Sequence, residues 1–284
     1  MKRLLYVLTG LCLLAGIFAG CEKPNSTREE GDNTASKNYT ETAFGMNLEM
    51  MYVKGGTFEM GATSEQGSDA YSDEKPVHSV TLNDFYIGAT EVTQAQWKAV
   101  MGTTLEEQRD KAYLEGAVGN LWGVGGIYPM YYVNWEEAQE FCQKLSETTG
   151  KRYILPTEAQ WEYAARGGQH ADGTKYAGSN TIGDVAWYDA NSGEQTHPVG
   201  QKKPNGLGLY DMSGNVEEWC SDWYGDYSSS AEVNPQGPSN GSRRVIRDGS
   251  WYLDAVDCRV SLRGGGNPGV RDQGLGFRVA CLAE

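Results

Sequence analysis

HPVGQKKPNGLGLYDMSGNVEEWCSDWY, residues 197 to 224, is the stretch whose reading decides the fold. Its glycines at 200, 206, 208 and 214, with Asn205, Asp211 and Asn215 between them, break every helical or alternating period into short pieces. Large apolar and aromatic residues such as Leu209, Trp219 and Trp223 fill the gaps, so the stretch can still contribute to a core. This combination implies a packed domain with sparse regular structure. The same character runs through the whole chain, whose 284 residues include 37 Gly, 8 Trp and 17 Tyr.

Three helices stand out against that background. Thr93 with Gln96 reads as a capping box opening a helix to about Met101. Asn134 caps a second, with Glu136 and Glu137 in its first turn and Trp135, Ala138, Phe141, Cys142 and Leu145 on one face. Thr157 with Gln160 opens a third, whose buried side is Trp161, Ala164 and Ala165 and whose stop is Gly167-Gly168. Alternation predicts strands at Met51 to Met60, Val77 to Ile87 and Leu275 to Cys281. Gly102 to Tyr128 fits no period and reads as a long surface loop.

Outward toward the N-terminus, residues 1 to 21 read MKRLLYVLTGLCLLAGIFAGC. Two basic residues, an uncharged apolar run and small residues before Cys21 form a secretory leader, shorter than the roughly 20 apolar residues of a membrane-spanning helix. The Ala19-Gly20-Cys21 end resembles a bacterial lipobox, which predicts cleavage before Cys21 and acylation of its sulfur; the competing reading is an ordinary leader with a coincidental cysteine. Residues 21 to 44, polar and poor in large apolar side chains, read as a flexible tether. Residues 45 to 284 then form a single domain. The expected location is the bacterial cell envelope, with the chain exported and held at the outer membrane by its lipid.

The formal net charge is −14, and losing Lys2 and Arg3 with the leader makes the chain more acidic still. That balance excludes nucleic acid and anionic headgroups as partners and leaves acidic loops suited to hard cations. Of six cysteines, Cys12 and Cys21 belong to the leader. The remaining Cys142, Cys220, Cys258 and Cys281 read as two disulfides in an oxidising compartment, with three pairings open, or as reactive or metal-binding thiols. His78, His170 and His197 lack metal-ligand spacing.

A series of strings closely resembles the formylglycine-generating enzyme family, also called the sulfatase-modifying-factor domain. They are MYVKGGTFEMG (51 to 61), DFYIGATEVTQAQW (84 to 97), YVNWEEAQEFC (132 to 142), LPTEAQWEYAARGG (155 to 168), the opening stretch, RDGSW (247 to 251) and GLGFRVA (274 to 280). The resemblance covers nearly all of residues 46 to 284 and implies a loop-rich α+β fold related to C-type lectins, with bound calcium. Catalytic members oxidise a substrate cysteine with oxygen and a copper ion held by two cysteines that follow a Gly-Ser-aromatic motif. Here that motif is Gly249-Ser250-Trp251. The second family cysteine falls on Cys258 and the first on Leu253, which has no metal-binding atom. Glu217 stands where the enzymes carry tryptophan. Copper is therefore not expected.

The resemblance also places calcium ligands on Asp211, Gly214, Val216 and Glu218, and a looser second set on Val185, Ala186, Asn191 and Gly193, where Asn191 replaces an acid. If Cys258 is bonded, its simplest partner is Cys220, which leaves Cys142 with Cys281, a bridge resembling one in the family although the usual strand position is Val279. Two functions compete: a lipid-anchored, calcium-braced, non-catalytic scaffold or binding module for a protein or glycan, and an oxidase of exported cysteine peptides with an altered site.

Overall fold

A computed structural model of the chain describes residues 37–113 and 119–283; the leader, Cys21 and most of the predicted tether lie outside the described residues. In chain order come β1 (Tyr39–Ala43), β2 (Met46–Val53), β3 (Gly56–Met60), β4 (His78–Leu82), β5 (Phe85–Gly88), α1 (Gln94–Met101), α2 (Leu105–Ala112) and α3 (Trp135–Thr149). Then follow β6 (Tyr153–Ile154), α4 (Glu158–Ala165), β7 (Glu217–Trp223), β8 (Glu232–Val233), β9 (Arg244–Arg247), β10 (Arg263–Gly266), β11 (Leu275–Gly276) and β12 (Ala280–Leu282). The architecture is α+β. A five-stranded sheet has the order β1-β2-β5-β12-β6, a four-stranded sheet β10-β9-β7-β11, and a three-stranded sheet β3-β4-β8.

The three helices start as their caps dictate. The side chains of Thr93, Asn134 and Thr157 accept from the backbone N–H three residues on, and Gln96 and Gln160 close their boxes. α1 and α3 then bury Trp97, Phe141 and Leu145 against the five-stranded sheet, where the Phe141 and Phe277 rings meet edge to face at 5.3 Å. α4 is buried on every side, in a second cluster around Trp161.

Three expectations need correction. The tether ends before residue 44: β1 pairs antiparallel with β2, and Tyr39 packs edge-on against Tyr86 at 5.0 Å, so threonines and one tyrosine suffice where a sheet edge already exists. The supposed loop from Gly102 holds α2, opened by a Thr104/Glu107 capping box; only Leu105 and Gln108 are buried, so no apolar period betrays it. Each of the three alternations splits into two strands that join different sheets: Met51 to Met60 into β2 and β3, Val77 to Ile87 into β4 and β5, and Leu275 to Cys281 into β11 and β12. Among the described residues no helix is long and apolar enough to cross a membrane.

With so few ladder bonds, buried arginines tie the loops together. Arg278, fully buried, bonds both oxygens of Glu218 and also donates to the carbonyls of Gly88, Tyr210 and Asp211. Arg247 pairs with Glu162, Arg259 with Glu74 and Arg263 with Glu158, every member buried. Removing one partner of such a pair strands the other charge in the interior. Arg278→Leu is therefore expected to lower unfolding free energy by about 3–5 kcal/mol, while adding Glu218→Gln to it recovers part of that loss in urea titrations. A single variant within the scatter of the parent would show that Arg278 carries no such load.

Candidate functional site

The segment after β9 turns sharply at Asp248, whose φ of 73° is left-handed, and runs through Gly249-Ser250-Trp251 to a 3-10 turn at Ala255–Cys258. Gly249 is required for closeness: a Cβ there would stand 2.6 Å from the Cys258 sulfur. The Cys258 thiol is fully buried, packs with Tyr176 and Val185, and points at the Asp254 carbonyl 3.7 Å away. Backbone bonds fix the rest, from Trp251 N–H to the Asn215 carbonyl and from Asp189 N–H to the Leu253 carbonyl.

β7 delivers two adjacent carboxylates to opposite faces, as a strand must. Glu218 goes inward to Arg278, and Glu217 goes outward, half-buried, toward this turn. The Glu217 N–H donates to the Gly274 carbonyl, and Gly274 lies against Ser250 and Tyr252, where a Cβ would be 3.1 Å from the Ser250 hydroxyl oxygen. Tyr252 donates to Asp272 at 2.7 Å. Trp122 and Trp251 meet at 5.2 Å over Gln273, whose side-chain oxygen and backbone carbonyl accept from the two indoles.

This neighbourhood is acidic. Burial, then the charges of Asp272 and Asp257, push Glu217 up to about 8. Burial, then Asp248, Asp257, Glu217 and Asp254, raise the Cys258 thiol well above its ordinary range. Arg259, the adjacent cation that could have favoured a thiolate, is spent on Glu74 at 2.6 and 2.8 Å. Cys258 is thus a neutral thiol, and the side chain at the partner position, Leu253, has no donor atom; the residues present do not fit a copper ion. Ser250 Oγ is buried without a hydrogen-bond partner of good geometry. Sequence reasoning passed over Asp248, Asp272 and Tyr252, although Asp248 sits in the RDGSW string.

Asp211, Gly214, Val216 and Glu218 do come onto one turn, with left-handed backbone at Asp211, Gly214 and Asn215. The carboxylate oxygens of Glu218 and one of those of Asp211 already have protein partners. Glu218 Oε1 and Oε2 accept from Arg278, and Oε2 also from Trp161 Nε1 at 2.7 Å. Asp211 Oδ2 accepts from the Gly200 N–H and its carbonyl from Arg278, which leaves Oδ1 buried and unpartnered. Arg278 is the cation that Glu218 and the Asp211 carbonyl meet here. In the second set, Asn191 Nδ2 donates to the Ala186 carbonyl at 3.0 Å and Asn191 Oδ1 accepts from the Tyr188 N–H, with Val185 in the preceding single turn and Gly193 left-handed after it. The amide takes up the carbonyl that an ion would need. Among the described residues, no three His, Cys, Asp or Glu side chains are placed to hold a metal ion together.

The disulfide expectations are corrected too. Cys220 packs in the cluster around Trp161, whereas Cys258 packs with Tyr176, and both carry thiols. Cys142 and Cys281 share the cluster around Trp97, but no bond joins them; Cys281 Sγ donates to the Leu282 carbonyl at 3.6 Å. His197 stacks on Trp187 at 3.7 Å and His78 lies 4.8 Å from the Tyr227 ring.

Residues 35–283 match the family model described as the sulfatase-modifying factor enzyme 1-like domain. The chain is 34% identical over 266 residues to the chaperone protein LppX of Paenibacillus barcinonensis, covering 76% of this chain and 83% of that one. It is 34% identical over 287 residues to the formylglycine-generating enzyme of Streptomyces coelicolor, covering 82% and 88%. The solved structure of variable protein 1 from Treponema denticola superposes with a TM-score of 0.73 at 34% identity, over 87% of this chain and 99% of that one.

Two outcomes follow from the acidic turn. In the folded chain Cys258 should resist iodoacetamide at about pH 8 and react only after unfolding; native alkylation mapped to Cys258 would show an exposed thiolate instead. Glu217 titrates near 8 when folded and near 4.5 when unfolded, so the folded state holds an extra proton between those values and loses stability as pH rises through them. Glu217→Gln removes that slope. Its melting temperature should match the parent near pH 4 and exceed it by a few degrees at about pH 8; a gain independent of pH would assign the effect to packing.

Proposed function

The chain belongs to the sulfatase-modifying factor enzyme 1-like family, and from that premise we propose that it serves as a non-catalytic binding module of the family, displayed outside the cytoplasm on a lipid at Cys21. Its fold is the loop-rich α+β fold of formylglycine-generating enzymes, related to C-type lectins. One observation carries the functional reading: at the position of the enzymes' copper site this chain offers a leucine and a neutral, buried thiol ringed by carboxylates. Oxidation through copper needs two thiolates presented together, and a half-built ligand set does not supply a fraction of that chemistry.

What remains is a rigid surface of aromatic and acidic side chains, Trp122, Tyr252, Glu217 and Asp272 among them. A surface of that kind suits a protein or glycan partner. The leader and Cys21 support presentation at the cell envelope, and the polar residues that follow supply reach. A relative named a chaperone protein is in keeping with a role in holding a polypeptide. The strongly acidic balance leaves nucleic acid out.

Titrated with Cu(I) against a competing chelator, the full chain is expected to show no copper uptake that depends on Cys258, and a sulfatase-type cysteine peptide incubated with it in oxygen should keep its mass. Tight Cu(I) binding that disappears in Cys258→Ser, or conversion of the peptide, would overturn this reading in favour of an altered oxidase.

A further inference from the structure

A cavity of about 510 Å³ opens between the N-terminus of α4, the end of β7 and the loop that follows it through β8. None of the residues that line it belongs to the Glu217 and Cys258 neighbourhood. Its floor is Asp222, which is only 4% exposed. Asp222 Oδ2 is taken, accepting from the Glu158 N–H at 2.9 Å and the Ser221 hydroxyl at 3.0 Å. Oδ1 has no hydrogen-bond partner. It faces the wall at Gly237, where a Cβ would lie 3.2 Å away, and Gly237 has a left-handed φ of 67°. That oxygen is open to the cavity, so a donor entering there finds an acceptor that no protein group has taken.

The charges around it identify what that is. Glu158 is already matched, by Arg263 at 2.7 and 2.8 Å and by the Tyr227 hydroxyl at 3.1 Å. Arg244, which also feels Asp222, is held between the Trp135 and Trp223 rings and bonded to the Ser221 carbonyl. Asp222, Asp226 and Glu232 therefore line a space whose lining arginine, Arg263, has other partners, as has the neighbouring Arg244. That excludes an anion. A bare metal ion is a poor fit, because among the described residues no three acidic or metal-binding side chains converge. Met60, Pro235 and the 71% exposed Val233 add an apolar flank, suited to the methylene stem of a basic side chain.

We infer that this cavity binds an ammonium or guanidinium group on an apolar stem, with Asp222 Oδ1 accepting its hydrogen bond and Asp226 and Glu232 drawing it in. The site goes beyond the module's display role and does not rest on it, since it uses a different face and needs no statement about copper. The structural alternative is that Asp222 only caps the backbone at the start of α4.

The experiment is calorimetric titration of the full chain with three probes: a short peptide carrying one lysine, the same peptide with that lysine acetylated, and the free diamine cadaverine. The lysine peptide is expected to bind, with affinity roughly tenfold lower on acetylation and roughly tenfold lower for Asp222→Asn. The asparagine keeps an acceptor for the Glu158 N–H, and the rim variant Glu232→Gln, which touches no core contact, should weaken binding by a smaller factor. Cadaverine binding as tightly as the peptide would support the site and make its ligand a small amine; peptide binding alone would support it and make the ligand a protein side chain. Equal affinity for the lysine and acetyl-lysine peptides, or no binding by peptide and diamine at millimolar concentration, would overturn the inference.

Discussion

Arg278 is the constraint on which the rest of the structure depends. A domain with short strands and long irregular connections must still partner its buried backbone carbonyls. Arg278 satisfies three of them, from Gly88, Tyr210 and Asp211, while neutralising Glu218. One side chain thereby joins the ends of β5, the 210–218 turn and β7. The device recurs: Arg263 reaches the Asp73 and Gly225 carbonyls and Glu158, and Arg247 the Val260 and Leu262 carbonyls and Glu162. A planar guanidinium with five donors suits this work in a way lysine does not. Desolvating such pairs offsets much of their attraction, so their contribution lies in specifying which loops meet.

The brace also decides the character of the surface. With Glu218 drawn inward, strand alternation commits Glu217 to the opposite face, beside Tyr252, Asp272 and the Cys258 turn. The residue that departs from the enzymes' tryptophan is thus placed where its charge acts on the thiol. Burial first, then Asp248, Asp257, Glu217 and Asp254, raise the Cys258 thiol well above its ordinary range.

Local chemistry was legible in the sequence and long-range chemistry was not. Caps at Thr93, Asn134 and Thr157 and the face Trp135, Ala138, Phe141, Cys142, Leu145 were readable because they depend on residues three or four apart. α2 carried the same capping signal at Thr104 and Glu107, but its polar residues gave no period to attract notice. The arginine pairs join residues far apart in the chain, such as Glu74 with Arg259, and no spacing rule reports them. The protein partners of Glu218 and Asn191 were hidden for the same reason: Arg278 comes from far along the chain, and the Ala186 carbonyl is a backbone group that sequence does not mark.

Leucine at 253 is compatible with the fold, because the loop bearing it is held by its backbone. The Leu253 carbonyl accepts from Asp189 N–H, the Leu253 N–H donates to Ser250, and the Trp251 N–H donates to Asn215. None of these bonds asks for a particular side chain at 253. The brace of Glu218 and Arg278 uses neither Leu253 nor Cys258. When bracing and chemistry reside in different side chains, substitutions can remove a reaction while leaving a rigid surface available for another use.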